Sequence, residues 1–554
     1  MNRNTESHFS TLPKVDINRS TFDRSSSVKL SFNVGDVIPF FVDEVLPGDS
    51  FHIRTSKVVR MQTLIAPIMD NIYLDTYFFF VPNRLVWEHW REFNGENTQS
   101  AWLPDVEYEV PQITSPATTG WSVGTLADYF GIPTGVPGLS VNALPFRAYS
   151  LIMNEWFRDE NLTDPLVTPT DDATVAGVNT GNYITDVAKG GLPFKAAKYH
   201  DYFTSALPAP QKGPDVTIPL GQFADVPVVT KSDRSVPSTF NLTPPLSFDL
   251  QRHDINSGYV DRFLVAPSNT VGASFQPPET TSLYSIPVNL WAQTSSLGGV
   301  SVATINQLRM AFQVQRLYEK DARGGTRYIE ILKEHFGVTS PDARLQRPEY
   351  LGGNRIPIHI NQVIQQSETS STSPQGNTAA YSLTSDTHSD FRKSFVEHGF
   401  IIGLCVARYD HTYQQGLERF WSRRDRFDYY WPVLANIGEQ AIKNKEIYAQ
   451  GSDVDDEVFG YQEAWADYRY KPSRVCGEMR SQYAQSLDVW HLADDYDKLP
   501  SLSDAWIRED SKTVNRVIAV SDQVANQLFA DFYIQNRCTR PMPMYSVPGL
   551  IDHH

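Results

Sequence analysis

Along the first hundred residues, apolar and polar positions alternate with a period of two. Val28, Leu30, Phe32 and Val34 are separated by Lys29, Ser31 and Asn33, the pattern of a strand buried on one face. A second apolar strand runs from Val37 to Val45, the turn Leu46-Pro47-Gly48-Asp49 follows, and extended character resumes from Phe51 to Leu64. Ile72 to Val81 carries aromatic residues on both faces, which predicts a strand covered on both sides. Pro82 opens a short helix through Trp90, closed by Asn94-Gly95. Helical spacing recurs at Tyr149 to Arg158, Val302 to Glu319 (Ile305, Leu308, Phe312 and Gln315 on one face) and Tyr328 to Phe336, with Gly337 as the stop. Ile356, Ile358 and Ile360 alternate as a strand, and Phe395 to Tyr409 reads as a buried one. Residues 367–390 are Ser/Thr-rich and read as loop, whereas Val514 to Phe532 has helical spacing.

Between residues 161 and 300 helical signal nearly vanishes. Short strand-like runs remain at Val216 to Leu220, Val226 to Thr230, Leu246 to Leu250 and Pro287 to Ala292, separated by Pro and Gly. A structureless loop of that length inside a compact domain is improbable, so this is a β-rich excursion. Strands at both ends, long excursions between and few βαβ signals predict a mainly β chain: an antiparallel sandwich with large insertions containing short helices. Residues 1–26 are polar and aperiodic and read as a flexible N-terminal arm.

Composition narrows the function classes. With 554 residues and 41% apolar content the chain can bury a large core. Its formal net charge of −16 excludes a polycation that coats nucleic acid, so any such contact is local. Within the arm, Arg3, Lys14, Arg19 and Arg24 are candidates for that contact, or for tying subunits together. Cys405, Cys476 and Cys538 are too few for a disulfide framework and too scattered for a zinc site; they read as reduced, buried thiols. No signal-peptide core precedes the first strand, and no apolar run approaches the length of a membrane span.

The sequence contains no P-loop, HExxH or G-x-S-x-G pattern, and nothing predicts a cofactor. Asp488, His491, Asp494, Asp495 and Asp497 form an acidic cluster. On a helix His491 and Asp495 would share a face, making Asp488, His491 and Asp495 the candidate ligands for a hard cation, against the plainer reading of an acidic helix end. Arg419, Arg423, Arg424 and Arg426 interleave with Phe420, Trp421, Phe427, Tyr429 and Trp431. Arginine with aromatics suits single-stranded nucleic acid, but also the anchors of a protein interface. Glu418, Asp425 and Asp428 lie among them and favour a subunit interface through Arg419, Trp421, Arg423, Arg424, Arg426, Tyr429 and Trp431.

Several longer stretches occur together and in order: VLPGDSFH from Val45, YFFFVP from Tyr77, SPQGN from Ser373, HGFIIG from His398, TYQQG from Thr412, FDYYWP from Phe427, GYQEAW from Gly460, YRYKP from Tyr468 and DVWH from Asp488. In these the chain resembles the major capsid proteins of the Microviridae, bacteriophages with single-stranded DNA, and most of all the gokushovirus branch. The resemblance spans about residues 27 to 550 and is weakest over 160–300. It implies a single eight-stranded jelly roll formed by 27–211 and 293–554, and pentamers building a sixty-subunit T=1 icosahedral shell around circular single-stranded DNA. It implies that the insertion at 212–292 is a threefold protrusion meeting a host cell-surface receptor. The implied partners are a small basic DNA-packaging protein, a minor capsid or pilot protein, and an internal scaffolding protein during assembly. The implied location is the virion, assembled in the bacterial host cytoplasm. The competing class is a secreted or cell-surface β-sandwich carbohydrate-binding protein, which shares the β content and aromatics but normally carries a secretory signal. A glycan-processing enzyme would need two placed carboxylates, which the sequence gives no means of pairing.

Overall fold

The computed structural model describes residues 17–98, 106–217, 304–369 and 374–545, together with the backbone of 228–231, 237–238, 249–254, 258–263 and 290–292. Nine strands form its centre: β1 Ser20–Asp23, β2 Ser26–Phe32, β3 Ile38–Val45, β4 Ser50–Met61, β5 Ile72–Pro82, β6 Glu349–Pro357, β7 Thr384–Ser394, β8 Gly399–Tyr409 and β9 Leu528–Arg540. They make two sheets. In the first, β1 and β2 share one edge and pair with β9, followed by β4 and β7; the second runs β6–β5–β8–β3. Every pairing is antiparallel. The chain crosses between the sheets at every connection from β2 onward except β5 to β6, which is the wrapped order of a jelly roll.

Aromatic side chains from the two inner faces interlock. Phe40 of β3 stacks on Phe532 of β9 at 4.5 Å between centroids, and Phe78 of β5 meets Phe391 of β7 at 5.5 Å. Each buried phenylalanine contributes about 1.5–3 kcal/mol relative to exposure. The outer faces of the two sheets differ. That of the second sheet lies under a second apolar cluster, where Phe79, Phe400, Ile402 and Leu404 pack with the helix α1 Leu144–Ile152. Tyr149 of this helix donates from Oη to the carbonyl of Val37 at 2.6 Å. β5 and β8 are therefore buried on both sides, as the aromatic run at 72–81 predicts. The first sheet keeps strict in–out alternation along β4 and β9.

By its internal contacts the chain divides into two units. One joins 1–212 to 319–554; the other is Gly213–Tyr318, whereas the sequence places the insertion at 212–292. Of the added residues, 305–318 belong to the helix α2 Ile305–Gly324, which is followed by α3 Tyr328–Phe336.

Three elements differ from the sequence reading. Residues 378–382 and 384–394 of the Ser/Thr-rich stretch are strands, not loop. Their inward positions include Ser382, Thr384, Asp386 and His388 as well as Phe391, so the apolar periodicity that flags a strand is thin. The helical spacing from Val514 belongs to a four-residue turn of helix, Lys512–Asn515, and to the buried Val517 and Ile518; from Leu528 the chain is β9. The polar arm ends sooner than residue 26, because Ser20–Asp23 pairs with β9 through the register Ser20 to Arg540.

Candidate assembly surface

The connection from β8 to β9 builds a small core with Tyr202 and Phe203 of the β5–β6 connection, in which Tyr413, Ile442, Ile447 and Phe459 pack beside a two-stranded sheet, Glu439–Lys443 with Val458–Glu463. A buried ionic network holds it to the barrel. His411, two residues beyond β8, lies between Asp494 (Nδ1 to Oδ1, 3.0 Å) and Glu509 (Nε2 to Oε2, 3.1 Å). Burial alone would push its imidazole down; the two carboxylates outweigh that and hold it up at about 10. Asp494 is held down at about 2, because His411 and Lys198 (3.8 Å) outweigh the penalty of its own burial.

From this anchor the chain turns over the helical turn Asn444–Ile447. Leu417 donates its N–H to the carbonyl of Lys445 at 2.8 Å, and a side chain at Gly416 would overlap the carbonyl oxygen of Glu446. Residues 419–422 and 426–428 then form single 3-10 turns. Asp428 closes the second one, its Oδ2 accepting from the N–H groups of Arg424 and Asp425 at 2.8 and 2.9 Å. Most arginines of this segment are held by partners in the same connection. Arg419 faces Glu446 at 3.8 Å. Arg423 pairs with Asp467 and lies 4.2 Å over the ring of Tyr468. Arg426 lies over Trp431, whose indole N–H donates to the Arg426 carbonyl at 2.8 Å. Arg424 is exposed.

The aromatics point outward. Trp421 is 66% exposed, Phe427 67% and Val433 93%, with Tyr429, Tyr430, Trp431 and Tyr468 about half exposed. So concentrated an apolar surface is unusual on a monomer. Held by charged pairs and rich in Trp and Tyr, it has the composition of a protein interface core. Beside it is a cleft of about 580 Å³ between residues 413–423 and 467–480. The carboxylates there, Glu418, Glu446 and Asp467, are paired with Lys471, Arg419 and Arg423 respectively.

All seven predicted interface residues, from Arg419 to Trp431, thus fall in one segment. Tyr430, Val433 and Tyr468 join them. Tyr468 lies 45 residues downstream of Arg423, and only the fold brings it there.

The other predicted residues are dispersed. Arg3 and Lys14 lie outside the described residues. Arg19 is exposed, with its guanidinium against Gly48. Arg24 is bound to Asp43 at 2.6 Å. Asp488, His491 and Asp495 do not converge. Only Asp488–Trp490 is helical, and the backbone of His491 is extended, so His491 and Asp495 do not share a helix face. His491 donates Nε2–H to the carbonyl of Met479 at 2.7 Å and accepts from the Ala493 N–H at Nδ1. Asp488 faces Arg516, and Asp495 accepts from Gln415. Among the described residues no group of three His, Cys, Asp or Glu side chains is arranged to hold a metal. Cys405 and Cys538 are buried as expected, but Cys476 is exposed beside the cleft.

Comparison with known proteins is consistent across the chain. A family model described as "Capsid protein (F protein)" matches residues 10–550. The chain is 46% identical to the capsid protein VP1 of Spiroplasma virus 4, covering 94% of this chain and 93% of that protein. It is 43% identical to capsid protein VP1 of Bdellovibrio phage phiMH2K (99% and 98% covered) and of Chlamydia phage 1 (98% of each).

Proposed function

The chain belongs to the capsid protein (F protein) family of the Microviridae, and on that premise we propose how it builds its shell and what the shell holds. It is a structural capsid protein, not an enzyme, and a carbohydrate-binding role is displaced by similarity over nearly its whole length. Pentamers of the chain assemble into a sixty-subunit T=1 shell around circular single-stranded DNA in the bacterial cytoplasm. An internal scaffolding protein guides assembly, and a small basic packaging protein and a pilot protein complete the particle. The exposed aromatic surface around Trp421, Trp431 and Val433 becomes buried between neighbouring subunits. That surface is the observation that carries the proposal, since obligate interfaces bury thousands of Å² and are rich in such residues.

The inserted unit Gly213–Tyr318 forms the threefold protrusion and meets the host receptor. Its helix α2 supports this, because Ile305, Leu308 and Phe312 lie on one face and are exposed in the single chain, ready for copies from neighbouring subunits.

Sedimentation tests the proposal. Wild-type chain should run as pentamers or larger particles. The variant Trp421→Ala with Val433→Asp should remain monomeric while melting at the wild-type temperature. A wild-type chain that is well folded and permanently monomeric overturns it.

A further inference from the structure

Among the described residues, nothing packs over the outward face of the first sheet, unlike that of the second. Along β4, His52, Arg54, Val58 and Arg60 are exposed between buried neighbours, and β9 repeats the pattern. Register sets these residues in rows. Arg537, His52 and Arg392 stand side by side on β9, β4 and β7, with Arg54 one pleat further along β4. Such a row spans about 10 Å, and Arg60 lies about 20 Å along the strand from Arg54. Between them are hydroxyl and amide groups, Ser56, Thr387, Ser389 and Gln535. Ser56, Thr387 and Tyr533 border a shallow depression of about 440 Å³, whose carboxylates Asp386 and Asp531 are paired with Lys57 and Lys29.

The charges on this face are unbalanced. Of its carboxylates, Asp531 faces Lys29 at 3.8 Å, and Asp23 accepts from Ser25 and stands opposite Arg537 in register, where the two charges interact. Among the described residues no hydrogen bond or ion pair engages the side chains of Arg54, Arg60 or Arg392, and all three are exposed. A flat, hydroxylated face with unpaired guanidiniums, on a chain of net charge −16, selects for a polyanion. Tyr533 and Phe529, each nearly half exposed, offer ring faces to bases. The face lacks the dense apolar core that a protein partner requires.

We infer that this sheet face is where the chain holds single-stranded nucleic acid, through phosphate contacts from Arg54, Arg60 and Arg392 and stacking on Tyr533 and Phe529. The inference rests on the capsid reading for the identity of the strand as packaged genome. It moves the contact away from the N-terminal arm, whose Arg24 is spent on Asp43.

The test measures anisotropy of a fluorescent thirty-nucleotide deoxythymidine strand with purified full-length chain between 50 and 200 mM salt. Wild type should bind with an affinity that falls steeply with salt. Arg54→Gln with Arg60→Gln and Arg392→Gln should weaken binding at least tenfold and flatten the salt slope by about one for each phosphate no longer engaged. Lysine at the same three positions should keep the slope. Tyr533→Ala should weaken binding about fivefold with the slope unchanged, and glutamine at Arg3, Lys14 and Arg19 should change neither. If the triple variant loses its wild-type melt, Arg54→Gln and Arg60→Gln singly should each remove about one from the slope. An unchanged slope in a folded sheet variant overturns the inference, as does a loss of assembly with DNA binding intact, which would make the face a protein contact. Shells that form while sheet variants bind DNA normally refute this inference alone. A chain that binds through the sheet but never assembles refutes only the capsid reading.

Discussion

His411 is held at both ring nitrogens by carboxylates, and its raised pKa is a statement about stability. An unfolded histidine titrates near 6.5. Because the folded value is higher, at about 10, the stabilisation is complete below about pH 6.5 and is lost as pH rises toward 10. Asp494 acts in the opposite sense, its contribution being present above about pH 3.9 and lost as pH falls toward 2. The network is therefore strongest between about pH 4 and 6.5. Thermal melts should show wild type losing stability from pH 7 to pH 10, and His411→Leu should flatten that decline. At pH 6 the same substitution should cost about 3–5 kcal/mol, because it leaves the buried Glu509 without a cation and Asp494 with only Lys198. An unchanged melting temperature would mean that the network contributes nothing net.

At the scale of elements, β8 is the strand most confined by its neighbours, lying between β5 and β3 with both faces covered. At Gly403 a side chain would stand 2.8 Å from the Phe78 ring and 3.0 Å from Phe41. Gly403→Ala should therefore destabilise by about 1–3 kcal/mol, read as a lowered melting midpoint. The inserted unit predicts the reverse. Lys212 bonds Thr326 across the two chain passages at 3.1 Å, and within the unit Gly213 lies against the Tyr318 ring. Replacing 213–318 by a short Gly/Ser linker should leave a cooperatively melting barrel, since loop closure depends only logarithmically on length; loss of the melt would show that the barrel needs the insert. These contrasts explain what was legible in the sequence. β2 to β5 and β8 announce themselves because each buries an apolar face or two. β7 does not, since its inward positions Thr384, Asp386 and His388 are polar as well. β9 is hidden by Val514, Val517 and Ile518, whose spacing of three and four is that of a helix turn lying just before it. The aromatic surface was legible from 419 to 431 because it is local, whereas the bare sheet face was not. Its arginines lie on three strands hundreds of residues apart in sequence, and only register places them together.

For the whole molecule, net charge sets two opposed salt effects. Copies carrying −16 each repel one another, and the Debye length shrinks from about 30 Å at 0.01 M salt to about 10 Å at 0.1 M. Light scattering should therefore find a lower critical concentration for assembly at 0.3 M than at 0.03 M salt, while nucleic-acid binding weakens over the same range. An assembly threshold that rises with salt would mean that attractive ion pairs dominate the interface. The position of β9 has a further consequence, for synthesis. It is the inner strand that joins β1 and β2 to β4, and Ser20 finds its partner only at Arg540. At roughly 10 residues per second the N-terminal strands wait on the order of a minute for the ribosome to deliver it. Until then β4 presents an open edge and the aromatic interior of the barrel has no lid on that side. A chain broken off anywhere before residue 528 thus lacks the strand that closes the first sheet, and should fail to complete the barrel.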